Sequence, residues 1–264
     1  MAAAALIVGV LAFSRDAWAS QSLGGQVEGT GADNQPMSAG YTATDNNQDG
    51  VPESIAVTNG QVESPYLSGN FVAALNLNAG EIETRVRVAG RMMTVVIYCG
   101  TAGADTLDAR TYTHPVIFFG GQGNDKFRGG MDGDSAFMGD GNDEMEGNGG
   151  DDEAWGGDGS DKLGTETMWG SDDAGNDSYT GGTGNDTLGG GTGNDNLSDG
   201  GETQADTDVL KGGADADTID ADDADANDTI DCGSGDAAAD TVVCDQESVN
   251  NANSGGVNDS VTKN

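Results

Sequence analysis

The sequence predicts an all-β solenoid in which two parallel sheets face each other, preceded by a small N-terminal β cap. Three observations carry this. Between Gly120 and Leu197 the chain reads GGQGNDKFR, GGMDGDSAF, MGDGNDEME, GNGGDDEAW, GGDGSDKLG and, after a break, GGTGNDTLG and GGTGNDNLS. Asp125, Asp134, Asp143, Asp152 and Asp161 stand nine residues apart, and Asp177, Asp186 and Asp195 resume that period beyond one insertion, each followed two places on by an apolar residue or alanine. Finally, 45 of the 264 residues are Gly while only 35% are hydrophobic and 5% aromatic, too little apolar volume for one large globular core.

Taken in order, residues 1–19 (MAAAALIVGVLAFSRDAWA) carry an apolar run ending in Ala17-Trp18-Ala19 and resemble a secretory signal cleaved before Ser20, although no Lys or Arg precedes the run. The run is shorter than the roughly 20 residues that span a bilayer, so no transmembrane segment is expected in the mature chain. Residues 20–69 are expected to be a flexible lead-in, since their first half is rich in Gly, Ser, Thr and Ala without a convincing period. Within them, Asp45, Asn47, Asp49, Gly50 and Glu53 have the spacing of an acidic calcium loop, similar to the D-x-N-x-D-G-x-x-D/E loops of FG-GAP and VCBS-type extracellular domains. A polar turn at Asp49-Gly50 accounts for the same residues equally well.

Residues 70–98 alternate as strands do. Phe71, Ala73, Leu75 and Leu77 precede a turn at Asn78-Ala79-Gly80, and Ile82, Thr84, Val86 and Val88 then alternate against Glu81, Glu83, Arg85 and Arg87. This segment is expected to cap the open end of the solenoid, which would otherwise expose strand edge and apolar surface. The solenoid itself is expected over residues 99–246, with degenerate units at Asp105, around Pro115–Phe118, and at Asp208, Asp217, Asp228 and Asp240. An insertion at about Thr165–Ser171, carrying Met168 and Trp169, breaks the phase. Residues 247–264, polar and rich in Asn, Ser and Gly, are expected to be disordered. Cys232 and Cys244 flank one unit and would pair in an oxidising compartment, and Cys99 is expected to be a small buried residue where a strand enters the repeats.

Each unit divides into a six-residue turn, GGxGxD, and a three-residue strand whose middle side chain points inward. The inward series is Leu107, Phe127, Ala136, Met145, Ala154, Leu163, Tyr179, Leu188, Leu197, Leu210, Ile219, Ile230 and Val242. Two units make one coil, so the aspartates stack in rows at about the 4.7–4.9 Å strand spacing. One apolar side chain per nine residues is a weak return for ordering them, and the stacked carboxylates repel, so a cation must hold the rows together. Calcium suits hard oxygen ligands that include the carbonyls of glycine turns, whereas one His and three scattered Cys give zinc no tetrahedral set.

The GGxGxDxUx motif resembles that of the RTX, or haemolysin-type calcium-binding, family. The resemblance implies a right-handed parallel β-roll in which sixth-position aspartates and turn carbonyls share several Ca²⁺ ions between neighbouring turns. It assigns the ligand role to Asp125, Asp143, Asp152, Asp161, Asp177, Asp186 and Asp195. Asp134 follows Asp132 where glycine is usual, and Asp105, Asp208, Asp217 and Asp228 lie in degenerate units.

A formal net charge of −36 disfavours nucleic acid and anionic membranes as partners and favours a cation. Enzymatic activity is not expected: His114 is the only histidine and no G-x-S-x-G occurs. Trp155, Trp169 and Tyr179 are expected to cover the insertion rather than form a binding patch. The sequence therefore points to a secreted calcium-binding protein of structural or adhesive role, outside a bacterial cell or on its surface, meeting an extracellular polymer or a cell surface. The alternative is a calcium-dependent module of an extracellular enzyme acting on polysaccharide or lipid.

Overall fold

The computed structural model describes residues 21–47, 49–164, 173–200, 206–221, 228–233, 239–244, 248–250 and 260–263. The leader at 1–19 and the insertion at 165–171 lie outside the described residues. Among the described residues every regular element is a strand. In the N-terminal part these are β1 (Gln21–Thr30), β2 (Pro36–Asp45), β3 (Ser54–Val57), β4 (Gly60–Glu63), β5 (Phe71–Val72), β6 (Ala74–Asn76), β7 (Gly80–Val88) and β8 (Arg91–Cys99). The repeats begin with β9 (Thr106–Asp108), β10 (Val116–Gln122), β11 (Lys126–Arg128), β12 (Ser135–Asp140), β13 (Glu144–Glu146), β14 (Glu153–Asp158) and β15 (Lys162–Gly164). Beyond the insertion come β16 (Ser178–Thr183), β17 (Thr187–Thr192), β18 (Asn196–Ser198), β19 (Val209–Ala214) and β20 (Thr218–Ala221). The series closes with β21 (Thr229–Asp231), β22 (Thr241–Cys244), β23 (Ser248–Asn250) and β24 (Ser260–Lys263).

Among the described residues the strands form three sheets. The odd-numbered strands from β9 to β23 make an eight-stranded parallel sheet, and the even-numbered strands from β8 to β24 run parallel within a twelve-stranded one. These two sheets are the walls of a parallel β-roll. All thirteen inward residues expected from the motif are buried between them, and apart from Leu107 at 7% each is inaccessible to solvent. Phe118 supplies the inward position of the degenerate unit: it lies in register with Ala136 and stacks on Phe127 across the roll at 5.0 Å. The period-two geometry of the strand thus fixes one core residue per unit.

The cap is larger than expected. The hairpin β7–β8 continues the long sheet antiparallel, and β4 and the two-residue β5 complete its edge. Residues 20–69, expected as a flexible lead-in, instead contain the ten-residue strands β1 and β2, paired in register from Gln21↔Asp45 to Thr30↔Pro36. With β3 and β6 they form a four-stranded antiparallel sheet laid over the outer face of the roll. Its buried side chains alternate as Met37, Ala39, Tyr41 and Ala43, a period hidden in the sequence because half of its apolar positions are alanine.

Three polar contacts fasten this sheet to the roll: Tyr41 Oη to Ser135 Oγ at 2.7 Å, Gln26 N–H to Glu153 Oε2 at 3.0 Å and Glu28 N–H to Gly133 O at 3.0 Å. Trp155, expected to cover the insertion, stands half-buried on the outer face of the long sheet. It stacks on Phe137 at 4.3 Å, and Phe137 stacks on Phe119 at 5.5 Å, an aromatic row on the outer face beneath the small sheet. Tyr179 lies inside the roll, and Trp169 falls outside the described residues.

The tail at 247–264, expected to be disordered, contributes β23 and β24, which pair in parallel with β21 and β22. Val249 is in register with Ile230 and Val261 with Val242. Cys232 and Cys244 are buried in the roll core, and Cys99 is buried at the end of β8, where burial pushes its thiol up to about 12. No helix among the described residues is long and apolar enough to cross a membrane.

Candidate metal centre

The turns between sheets place their sixth-position aspartates in two rows, one along each side of the roll. In the first row Asp105, Asp125, Asp143, Asp161, Asp186 and Asp208 each donate their backbone N–H to Oδ1 of the next aspartate, ending at Asp228, at 2.7–2.8 Å. In the second, Asp134, Asp152, Asp177, Asp195 and Asp217 do the same, ending at Asp240, at 2.6–2.9 Å. Every carboxylate after Asp105, whose Oδ1 accepts the Tyr98 hydroxyl at 3.3 Å, therefore spends one oxygen on holding the neighbouring coil. The sequence period becomes a hydrogen-bonded ladder because each coil brings a sixth-position amide beneath the next sixth-position carboxylate.

The other oxygen is the informative one. In Asp125, Asp143, Asp152, Asp161, Asp177, Asp186 and Asp195, Oδ2 is buried without a hydrogen-bond partner. A buried ionised oxygen left this way is costly, and a row of them indicates that something else satisfies them. The turn backbone leaves space for it. A Cβ built on Gly156 would overlap Oδ2 of Asp161 and the carbonyl of Gly181 one coil on; one built on Gly190 would overlap Oδ2 of Asp195 and approach the carbonyl of Gly212 at 2.6 Å. Carboxylate and carbonyl oxygens thus converge where the first glycine has no side chain. This all-oxygen donor set fits Ca²⁺, which takes about 6–8 such ligands at roughly 2.3–2.6 Å, and offers zinc none of its preferred nitrogen or sulfur.

Burial and mutual repulsion show in the acidities. Asp125 and Asp195 are pushed up to about 6, Asp143 and Asp186 to about 7, Asp177 and Asp208 to about 8 and Asp161 to about 9. Loss of solvent is the first cause in each, and neighbouring carboxylates add to it in all seven. Asp152 is likewise raised well above the ordinary value, first by loss of solvent and then by the carboxylates of Asp134, Asp177 and Asp173.

Two expected ladder members differ. Oδ2 of Asp134 accepts the Gly130 N–H at 2.7 Å, and Oδ2 of Asp105 accepts the Thr101 N–H at 2.7 Å and hydroxyl at 2.9 Å. In both, the amide comes from the second position of the turn. The regular turn ending at Asp143 has its second and fourth glycines at positive φ, Gly139 at 108° and Gly141 at 142°, whereas neither irregular turn contains a positive-φ residue. With Asp132 at the fourth position of one and Thr101 at the second position of the other, the chain takes a tighter path that folds an amide onto the carboxylate.

The loop at 45–53 is closed on itself. Asp45 accepts the N–H groups of Asn47 and Gly50 at 3.1 and 3.0 Å, Asn47 accepts that of Asp49 at 3.2 Å, and Asp49 accepts that of Val51 at 3.0 Å. Glu53 accepts both N–H groups of Asn46, backbone at 2.8 Å and side chain at 3.0 Å. The structure brings Asp45, Asn47, Asp49 and Glu53 into one loop beside Gly121 of the roll, with their oxygens engaged by the loop's own amides.

One acidic residue was not foreseen. Asp173, fully buried, stands with Asp152 and Asp177, one carboxylate oxygen of each lying within 4.8 Å of the others. Counting back from Asp177, residues 172–177 occupy a GGxGxD frame in which Asp172 and Asp173 replace the two glycines. That substitution is visible in the sequence, but the adjoining insertion hides the frame.

The RTX calcium-binding nonapeptide repeat model, in 4 copies, matches residues 116–136, 139–166 and 169–201. No curated protein and no solved structure matches the chain.

Proposed function

The chain carries RTX calcium-binding nonapeptide repeats, which indicate calcium binding, and on that premise we propose that it is a secreted structural or adhesive protein whose roll folds on taking up several Ca²⁺ ions. The observation that supports this is the set of buried Oδ2 atoms without a hydrogen-bond partner from Asp125 to Asp195, which at Asp125, Asp161, Asp186 and Asp195 converge with a turn carbonyl on the same glycine. When bound, calcium supplies the positive charge that cancels carboxylate repulsion and a coordination shell that links adjacent turns. The chain's own part is to hold the ladder. Oδ1 fixes each carboxylate to the coil before it, glycine keeps the pocket free of side chains, and the inward residues set the coil spacing. Binding free energy then becomes folding free energy.

The role we propose is non-catalytic, carried by a rigid acidic rod that presents a capped N-terminal sandwich to a polymer or cell surface outside the bacterial cell. The net charge of −36 favours an extended state of the calcium-poor repeats beyond the insertion by self-repulsion. Far-ultraviolet circular dichroism in EDTA, followed by addition of millimolar Ca²⁺, tests the reading. A gain of β signal on adding Ca²⁺ is expected, and an unchanged spectrum would contradict it.

A further inference from the structure

Asp173 breaks the repeat in a way that leaves it neither a glycine substitute nor a ladder aspartate. It occupies the second position of its turn, where Gly139 and Gly157 of regular turns adopt positive φ. Its Oδ2 accepts the Tyr179 hydroxyl at 2.7 Å and the Gly147 N–H at 3.3 Å, while its Oδ1 is buried with no partner. Asp152 and Asp177, one coil apart in the second row, likewise bury an unpartnered Oδ2 beside it. A Cβ on Gly147 would overlap Oδ2 of Asp152 and stand 3.0 Å from Oδ1 of Asp173, so the two oxygens meet where a glycine leaves room.

A second departure accompanies the first. Tyr179 is the only tyrosine in the thirteen-residue inward series, which is otherwise aliphatic, Phe or Met. A buried phenol needs a hydrogen-bond acceptor, and this one has Asp173. The two irregular residues explain each other: the hydroxyl holds one carboxylate oxygen and turns the other toward Asp152 and Asp177. An oriented ligand supported by an outer partner is what metal sites are built from.

We propose that Asp152, Asp173 and Asp177 form a three-carboxylate divalent-cation site, a second-row ladder position to which Asp173 adds a ligand, that takes Ca²⁺ more tightly than the other ladder positions among the described residues and joins the coils on either side of the insertion. This rests on the reading of the ladder as calcium-binding and adds to it a ligand that the repeat does not contain. Three ionised carboxylates concentrate more charge than an ordinary ladder position does, and in oxygen-ligand sites affinity rises with the charge count. Oxygens within 4.8 Å of one another fit a shell of about 2.3–2.6 Å radius.

The test is calorimetric titration of the full chain with Ca²⁺ alone, comparing wild type with Asp173→Asn, Asp195→Asn and Tyr179→Phe. Wild type is expected to show a tight first step followed by weaker ones. Asp173→Asn should weaken that step by at least about tenfold, Tyr179→Phe by roughly tenfold with its stoichiometry kept, and Asp195→Asn should leave it in place. A tight step intact in Asp173→Asn, or lost equally in Asp195→Asn, overturns the site while the ladder reading stands. No uptake by wild type overturns both. Should Asp173→Asn fail to fold in Ca²⁺, Tyr179→Phe decides: a weakened first step supports the site and an unchanged one overturns it.

Discussion

The outer face of the long sheet changes character at the insertion. Before it, strands β8 to β14 present Ile97, Ile117, Phe119, Phe137 and Trp155, and the small sheet packs over them. After it, β16 to β22 present Ser178, Thr180, Asn196, Ser198, Thr218, Asp220 and Thr241, with Val243 the one apolar side chain among them. The inner core is continuous through both regions, and so are the aspartate rows. The N-terminal coils are thus buried on two faces of one sheet and the C-terminal coils on one. Since apolar burial contributes about 25 cal/mol per Å² removed from water, the covered half has a source of stability that the bare half lacks. The difference teaches that one repeat motif serves two regimes. In the covered half cations add to an inner and an outer core; in the bare half they add to the inner core alone.

The largest way to separate the regimes is pH without metal. The row carboxylates are raised from the ordinary value to between about 6 and about 9, so the folded rows bind protons that the unfolded chain has released. The stability they contribute is complete below about pH 4 and is lost as pH rises through those raised values. In EDTA the urea midpoint should therefore fall between pH 5 and pH 9. In saturating Ca²⁺ the fall should vanish or reverse, because the ligands must lose their protons to bind. A midpoint rising with pH in EDTA would contradict the account.

Next in size is Phe137→Ala, which empties the centre of the aromatic row and should cost about 3–5 kcal/mol by denaturant titration. The loss should be similar with and without Ca²⁺, since it belongs to the covered half. Tyr41→Phe leaves Ser135 Oγ buried without its bond and should cost about 1–3 kcal/mol, again independent of calcium. In the bare half, Gly193 has φ 131° and a Cβ there would overlap the Gly175 carbonyl. Gly193→Ala should cost more than about 1 kcal/mol and, unlike the other two, should also lower Ca²⁺ affinity in calorimetry.

The sequence made the roll readable because its two constraints are periodic. The sixth-position aspartates and the inward series from Leu107 to Val242 recur at a spacing that only stacked coils explain, and each inward residue is where the motif places it. The N-terminal sandwich was less legible. Its strands are built from Ala, Gly and Thr, and their apolar partners Phe119, Phe137 and Trp155 stand at positions the motif leaves free. The site was legible in its rows and not in its exceptions. That Asp105 and Asp134 give their second oxygen to an amide follows from backbone path, and Asp173 is hidden by the insertion beside it.

Hydrogen exchange followed by mass spectrometry, in EDTA and in millimolar Ca²⁺, tests the central claim most directly. Without calcium, the amides of Thr187–Thr192, Val209–Ala214 and Thr229–Asp231 should lose protection while those of Pro36–Asp45, Val116–Phe119 and Ser135–Phe137 keep most of theirs. Equal loss in both regions, or protection in the C-terminal coils that calcium does not change, would contradict the division of the roll into a core-held half and a cation-held half.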